Sequence, residues 1–190
     1  MSITPIDADR PQGDTIRTRS GLYVNPLNLQ PSDIRLSDMA YALAHVNRYG
    51  GHTIAPYSVA EHSLYVAAQL DRQFHCSELT LLGLLHDAPE AYLGDIVAPL
   101  KRTGAFEEYR EAEFTAEMAI AEAFECWGND THHRYVKDVD HGILAWEMAM
   151  FRDVGIRPPP DTAKVAHIFI DRTAALYLDI HKRPLPAGVL

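Results

Sequence analysis

Apolar residues recurring at three- and four-residue intervals dominate the chain from residue 37 onward, a period that predicts helices rather than strands. A first helix is read over residues 38–50, DMAYALAHVNRYG, capped by Ser37 or Asp38. Met39, Leu43 and Val46 share one face and Gly50 ends it. After GGHTIAPY, the run Ser58-Val59-Ala60-Glu61 has capping-box spacing and opens a second helix reaching about Leu70, with His62 just inside it. The third helix spans residues 77–88. A long fourth opens at Thr103 or Gly104 and carries Phe106, Tyr109, Ala116, Ile120, Ala123 and Trp127 at helical spacing. A fifth, over residues 131–153, has the stripe Val136, Val139, Ile143, Glu147 and Phe151. RPPPD at 157–161 stops it. Asp161 or Thr162 then caps a sixth helix with Val165, Ile168, Phe169, Leu176 and Ile180, and Pro184 and Pro186 end the order.

The first 36 residues break this pattern. Residues 1–20 are rich in Pro, Asp, Arg and Thr, and the first dozen are expected to be mobile. Residues 18–33 alternate short apolar pieces with Gly, Asn and Pro, which predicts turns and a short hairpin. With no internal repeat and no linker, the expectation is one all-α domain over residues 1–190. An irregular N-terminal flap (1–36) precedes a helical core (37–182), a compact bundle of about six helices.

Composition narrows the function more than the fold. A net charge of −9 argues against a nucleic-acid interface, which needs clustered Lys and Arg, but leaves room for a small anionic substrate met by a few converging cations. Cys76 and Cys126 form neither a CxxC pair nor a disulfide framework, so a reducing compartment is expected. The acidic N-terminus is unlike a secretory signal. No apolar run approaches the roughly 18 residues of a membrane span. A cytoplasmic chain without membrane partners is the expectation.

The chemistry concentrates in residues 81–95, LLGLLHDAPEAYLGD. A leucine-rich helix runs directly into His86 and Asp87, and ionisable groups at the end of a buried helix are costly unless compensated. A metal ion compensates them by taking neutral imidazole and ionised carboxylate as ligands; the plain alternative is a helix-end ion pair. Pro89 removes a backbone donor and should break or kink the helix there, leaving Glu90 and Asp95 in a looser segment beside the pair. Asp140 is a second anomaly, a carboxylate on the core-facing stripe between Val136 and Ile143, to be paired with an arginine or with a metal. Asp138 falls off that stripe. His62 is unremarkable alone, but three helices can bring it together with His86, Asp87 and Asp140. That mixed N and O set suits Mn²⁺, Co²⁺, Fe²⁺, Ni²⁺ or Zn²⁺ better than Ca²⁺.

This ordered set resembles the HD-domain superfamily of metal-dependent phosphohydrolases, and within it the YfbR-like 5′-deoxynucleotidases. The likeness rests on Ser58-Val59-Ala60-Glu61-His62-Ser63, His86-Asp87-Ala88-Pro89-Glu90, Gly94-Asp95, Pro99-Leu100-Lys101 and Val136-Lys137-Asp138-Val139-Asp140, and covers about residues 37–150. Phage proteins that hydrolyse dATP to deoxyadenosine and triphosphate look similar. The resemblance implies that His62, His86, Asp87 and Asp140 hold one divalent transition metal ion (Co, Mn, Zn, Fe or Ni), with a further Mg²⁺ accompanying a triphosphate substrate. It implies that Glu90 orients or deprotonates water, and that Arg48 clamps phosphate, unless Arg48 merely complements a helix C-terminus.

Asp95 would protonate the leaving oxygen, hold a sugar hydroxyl, or be a plain turn residue. Lys101 and Arg102 would add positive potential or lie in a solvated loop. Arg19, in the segment Thr18-Arg19-Ser20-Gly21, would contact base or phosphate if the flap lies over the pocket. One position departs from the family: Tyr49 stands where a tryptophan crowds the sugar 2′ position, which leaves the deoxyribose preference open. The implied substrate is a small nucleotide, a deoxynucleoside monophosphate or else a dNTP, with a non-catalytic nucleotide-binding module as the alternative to an enzyme. A homo-oligomer, dimer or larger, is expected from the family. The other histidines lack ligand spacing, and His141, about 100° around the helix from Asp140, should miss the site.

Overall fold

A computed structural model describes residues 13–153 and 160–190, the side chains of 149–153 excepted. The expectations placed on residues 1–12, on Phe151 and on the helix stop at 157–159 lie outside the described residues.

Helix α1 (Leu36–His45) shows how the stripe becomes core: Leu36, Met39, Ala40, Leu43 and Ala44 recur at i, i+3, i+4, i+7 and i+8, and all are buried. It packs against α2 (Val59–Phe74), the one-turn helix α4 (Glu90–Leu93) and the C-terminal α8 (Thr162–His181). Helix α3 (Ser77–Leu85) has almost no polar face, and it lies among α2, α8 and α7 (Asp130–Asp153). Between α3 and the rest of the chain come α4, a second one-turn helix α5 (Ala98–Lys101) and the long α6 (Glu107–Ala123). Among the described residues, six longer helices and two single turns make the structure mostly helical. Its only sheet among the described residues is a hairpin, β1 (Ile16–Arg17) against β2 (Tyr23–Val24).

Helices α2 and α3 approach each other closely at Gly83. A Cβ built on Gly83 would sit 2.1 Å from Leu70 Cδ1 and 3.3 Å from Val66 Cγ1, so the two helices meet at that distance only because residue 83 has no side chain. A second apolar cluster, Val66, Leu70, Leu79, Val136 and Ile143, ties α7 onto the same pair. These contacts bring the first turns of α2, the end of α3 and the middle of α7 to one place.

Several local expectations are corrected. Asp38 does not cap α1; it lies buried inside the first turn, where its carboxylate accepts from Ser20 N–H (2.7 Å) and Ser20 Oγ–H (2.6 Å). The N-terminal segment is thereby pinned to α1. Helix α1 stops at His45 rather than running to Gly50, since the chain turns through left-handed conformations at Tyr49 (φ 60°) and Gly50 (φ 59°). Helix α6 ends at Ala123, which leaves Trp127 outside it and half exposed. Order does not end at Pro184 either: Leu185 and Val189 are buried, and the Leu36 N–H donates to the Val189 carbonyl at 2.7 Å.

Other expectations match. Ser58 and Glu61 form a reciprocal capping box on α2, and Asp161 caps α8 through the Lys164 N–H. Both cysteines are free. Among the described residues no helix is long and apolar enough to cross a membrane.

Candidate metal centre and its cavity

The box at Ser58 and Glu61 sets where α2 begins, and so where His62 points: inward, with no solvent exposure. Helix α3 ends at Leu85, and His86 and Asp87 occupy the turns that follow, closed by Ala88 N–H to Leu85 O (3.0 Å) and Glu90 N–H to Asp87 O (3.1 Å). Pro89 does not loosen what comes next. Its helical φ of −53° makes it the N-cap of α4, so Glu90 is the first residue of a helical turn and is buried. Asp140 arrives from α7, on the stripe between buried Val136 and Ile143.

Three donor groups converge. Nitrogens of His62 and His86 and an oxygen of Asp87 all lie within 4.8 Å of one another. Asp87 Oδ2 is 3.2 Å from His86 Nε2 and 3.6 Å from His62 Nε2, while Asp140 Oδ1 is 3.0 Å from His62 Nε2. Each imidazole is held from behind: His86 Nδ1–H donates to the Gly83 carbonyl at 2.8 Å, and His62 Nδ1–H donates to Glu147 at 2.8 Å. Both Nε2 atoms are buried and neither makes a hydrogen bond, although carboxylates stand within ion-pair distance. Two buried imidazole nitrogens facing a shared carboxylate are groups that could hold a metal ion once the imidazoles are neutral, and the residues fit one.

The charges reinforce that geometry. Burial alone would lower the His86 pKa, but Asp87 and Asp140 outweigh it and push the imidazole up to about 9. Burial works against ionised Asp87 too, yet His86, His62 and Arg48 together hold its carboxyl well below the usual range. Glu90 goes the other way. Burial first, then Asp87 and Asp95, push its carboxyl up to about 8 against the pull of Lys101 and Arg48.

The centre opens onto a cavity of about 540 Å³, with Arg48, Tyr49, Asp87, Glu90, Asp95, Lys101 and Asp140 among its walls. Arg48 Nη1 donates to Asp87 Oδ2 at 3.0 Å. The Tyr49 N–H donates to Asp95 Oδ2 at 3.1 Å, and Gly94, at φ 77° and ψ 160°, makes the turn that places Asp95 there. Glu90 Oε1 faces Lys101 Nζ at 3.4 Å, while its Oε2 is buried without a hydrogen bond. Lys101 makes its shorter contact with Glu113, at 2.7 Å.

Two expectations shift here. Arg19 is not brought to this cavity. Its guanidinium lies 3.9 Å from the centroid of the Tyr41 ring, on a smaller cavity bordered by Asp38 and His45, because Asp38 pins the flap there. His141, in contrast, does line the metal-side cavity: it is exposed at the rim, which is wide enough to include the next residue around α7.

Glu147 was legible only as a stripe residue. It is fully buried, and it accepts from Tyr57 Oη–H at 2.6 Å, from the Tyr49 hydroxyl and from His62. Burial disfavours its charge, but the His62 and tyrosine hydrogen bonds hold the carboxyl below its ordinary range. Its spacing carried a signal: seven residues after Asp140, two helical turns on, it repeats the oddity of a carboxylate on an apolar stripe.

Residues 42–123 match the family model described as HD domain. Over this stretch the chain is similar to an HD domain. The matched span contains His62, His86, Asp87, Glu90 and Asp95 but ends before α7, so Asp140 and Glu147 join these residues through the fold. An uncharacterized protein of Escherichia coli (strain K12), YfdR, is 33% identical over 109 residues, 57% of this chain and 57% of its own length. An uncharacterized protein of Rhodobacter capsulatus is 43% identical over 89 residues, 45% of each chain. The matched stretches thus span about half the length of these curated relatives.

Proposed function

We propose that this chain is a metal-dependent phosphohydrolase of small nucleotides, acting on deoxynucleoside 5′-monophosphates. One observation carries the reading: two buried imidazole Nε2 atoms without hydrogen bonds meet the Asp87 carboxylate at the wall of a nucleotide-sized cavity. A divalent transition ion held by His62, His86, Asp87 and Asp140 would supply Lewis acidity toward a phosphoryl oxygen and toward water.

The chain's own residues do the rest. Arg48 presents a planar guanidinium beside Asp87 in the cavity wall, a geometry that supports its holding phosphate there. Glu90 Oε2 accepts the proton of the attacking water. Its raised pKa comes from burial and from neighbouring carboxylates, so positive charge at the centre lowers it toward the range of a working base. Asp95, held by the Tyr49 N–H and raised in pKa chiefly by burial, protonates the leaving oxygen or holds the sugar hydroxyl.

The second reading is release of triphosphate from a dNTP. The cavity wall speaks against it: Asp87, Glu90, Asp95 and Asp140 face Arg48, Lys101 and Arg102, and Lys101 is already shared by Glu90 and Glu113. That balance suits one phosphate better than three. Incubating metal-loaded protein with a panel of dNMPs and dNTPs separates the readings. Orthophosphate from dNMPs supports the proposal, and triphosphate from dNTPs replaces it. Nucleotide binding without turnover at any added divalent metal makes the chain a binding module instead.

A further inference from the structure

We propose that Glu147 is the positioning residue that keeps His62 competent as a metal ligand, an inference that rests on the metal-centre reading above. His62 faces acceptors on both ring nitrogens. Glu147 Oε1 is 2.8 Å from Nδ1, whereas Asp140 Oδ1 is 3.0 Å and Asp87 Oδ2 is 3.6 Å from Nε2. A neutral imidazole has one proton to give. If it sits on Nε2, the proton faces Asp140 and the ring cannot ligate there; if it sits on Nδ1, the Nε2 lone pair points into the centre. Glu147 decides between these tautomers, because its contact to Nδ1 is the one in hydrogen-bond geometry while Nε2 makes none.

The carboxylate is itself fixed. It has no solvent exposure and receives hydroxyl donors from Tyr49 and Tyr57, two residues of the loop between α1 and α2. That loop is braced by Arg48 N–H to Tyr57 O (2.9 Å) and Val59 N–H to Val46 O (3.0 Å). Glu147 therefore joins the back of a ligand histidine to Tyr49, which lines the substrate-side cavity.

The test is Glu147→Gln, which keeps the shape and an acceptor oxygen but removes the charge, beside Tyr57→Phe, which removes one donor to Glu147 and leaves the His62 contact alone. In metal-free protein, ¹⁵N shifts of the His62 ring read the tautomer directly. Wild type and Tyr57→Phe are expected to hold the proton on Nδ1, and Glu147→Gln to move it toward Nε2. Titration with Co²⁺ should show affinity falling roughly 10- to 100-fold in Glu147→Gln. An unchanged tautomer in folded Glu147→Gln overturns the inference. A wild type that takes up no Co²⁺ defeats the hydrolase reading, and the metal-free ¹⁵N shifts still decide the role of Glu147.

Discussion

The two histidines at the centre are held in the same way by different means. His86 is oriented by its own helix end, through the carbonyl of Gly83 three residues back, while His62 is oriented by a carboxylate 85 positions away on α7. The first device is local, spanning three residues at the end of α3. The second exists only once α2 and α7 have packed. The centre is thus half preset by a short segment and half conditional on the tertiary fold, and the two halves meet at Asp87, which touches both Nε2 atoms and Arg48.

The most severe break is at that meeting point. Asp87→Ala or His86→Ala is expected to abolish both bound metal and turnover, read by elemental analysis of purified protein and by phosphate release. Full activity with metal retained in either variant would dismiss the centre. Glu90→Ala sharpens the contrast, because Glu90 lines the cavity but is outside the set of converging donors. It should keep the metal and slow hydrolysis by about 10²- to 10⁴-fold, the loss typical of a missing general base. An unaltered kcat would remove that role.

What could be read along the chain follows the same division. The capping box at Ser58 and Glu61, the cap at Asp161 and the helix end at His86-Asp87 are devices spanning a few residues, and residue types alone expose them. Asp38 and Glu147 were misjudged or overlooked because their partners are distant: Ser20 for one, Tyr49, Tyr57 and His62 for the other. A buried-face carboxylate announces that a partner exists without saying which. Arg19 failed for a related reason, since the hairpin's position depends on the contact made by Asp38. Tyr49 was expected at a helix end, but its left-handed backbone places its N–H on Asp95, which no helical period reveals.

Proton competition provides a smaller effect. In the metal-free protein the Asp87 and Asp140 carboxylates hold His86 protonated up to about 9, although burial opposes this. A metal takes neutral imidazole, so below that value binding must expel a proton. Apparent affinity should therefore rise with pH, by at most about tenfold per unit, and level off near pH 9. Calorimetric titrations in buffers of different ionisation enthalpy would count the proton released. Affinity independent of pH between 6 and 8 would mean that His86 is already neutral.

The mildest intervention targets the local device. In Gly83→Ala the new methyl would start 2.1 Å from Leu70 Cδ1 and 3.3 Å from Val66 Cγ1, so α3 must shift or Leu70 must change rotamer. Overpacking of this kind costs about 1–3 kcal/mol, and in a chain of this size each kcal/mol lowers Tm by about 2–4 °C. Removing Leu70 bulk in Gly83→Ala/Leu70→Ala should not restore stability fully, because Leu70 fills the second apolar cluster. The informative measurement is Co²⁺ affinity beside Tm. If Leu70 yields, the Gly83 carbonyl stays on His86 Nδ1 and affinity is preserved while Tm falls; if α3 yields, both fall together, and the half of the centre that seemed preset proves as dependent on packing as the half held by Glu147.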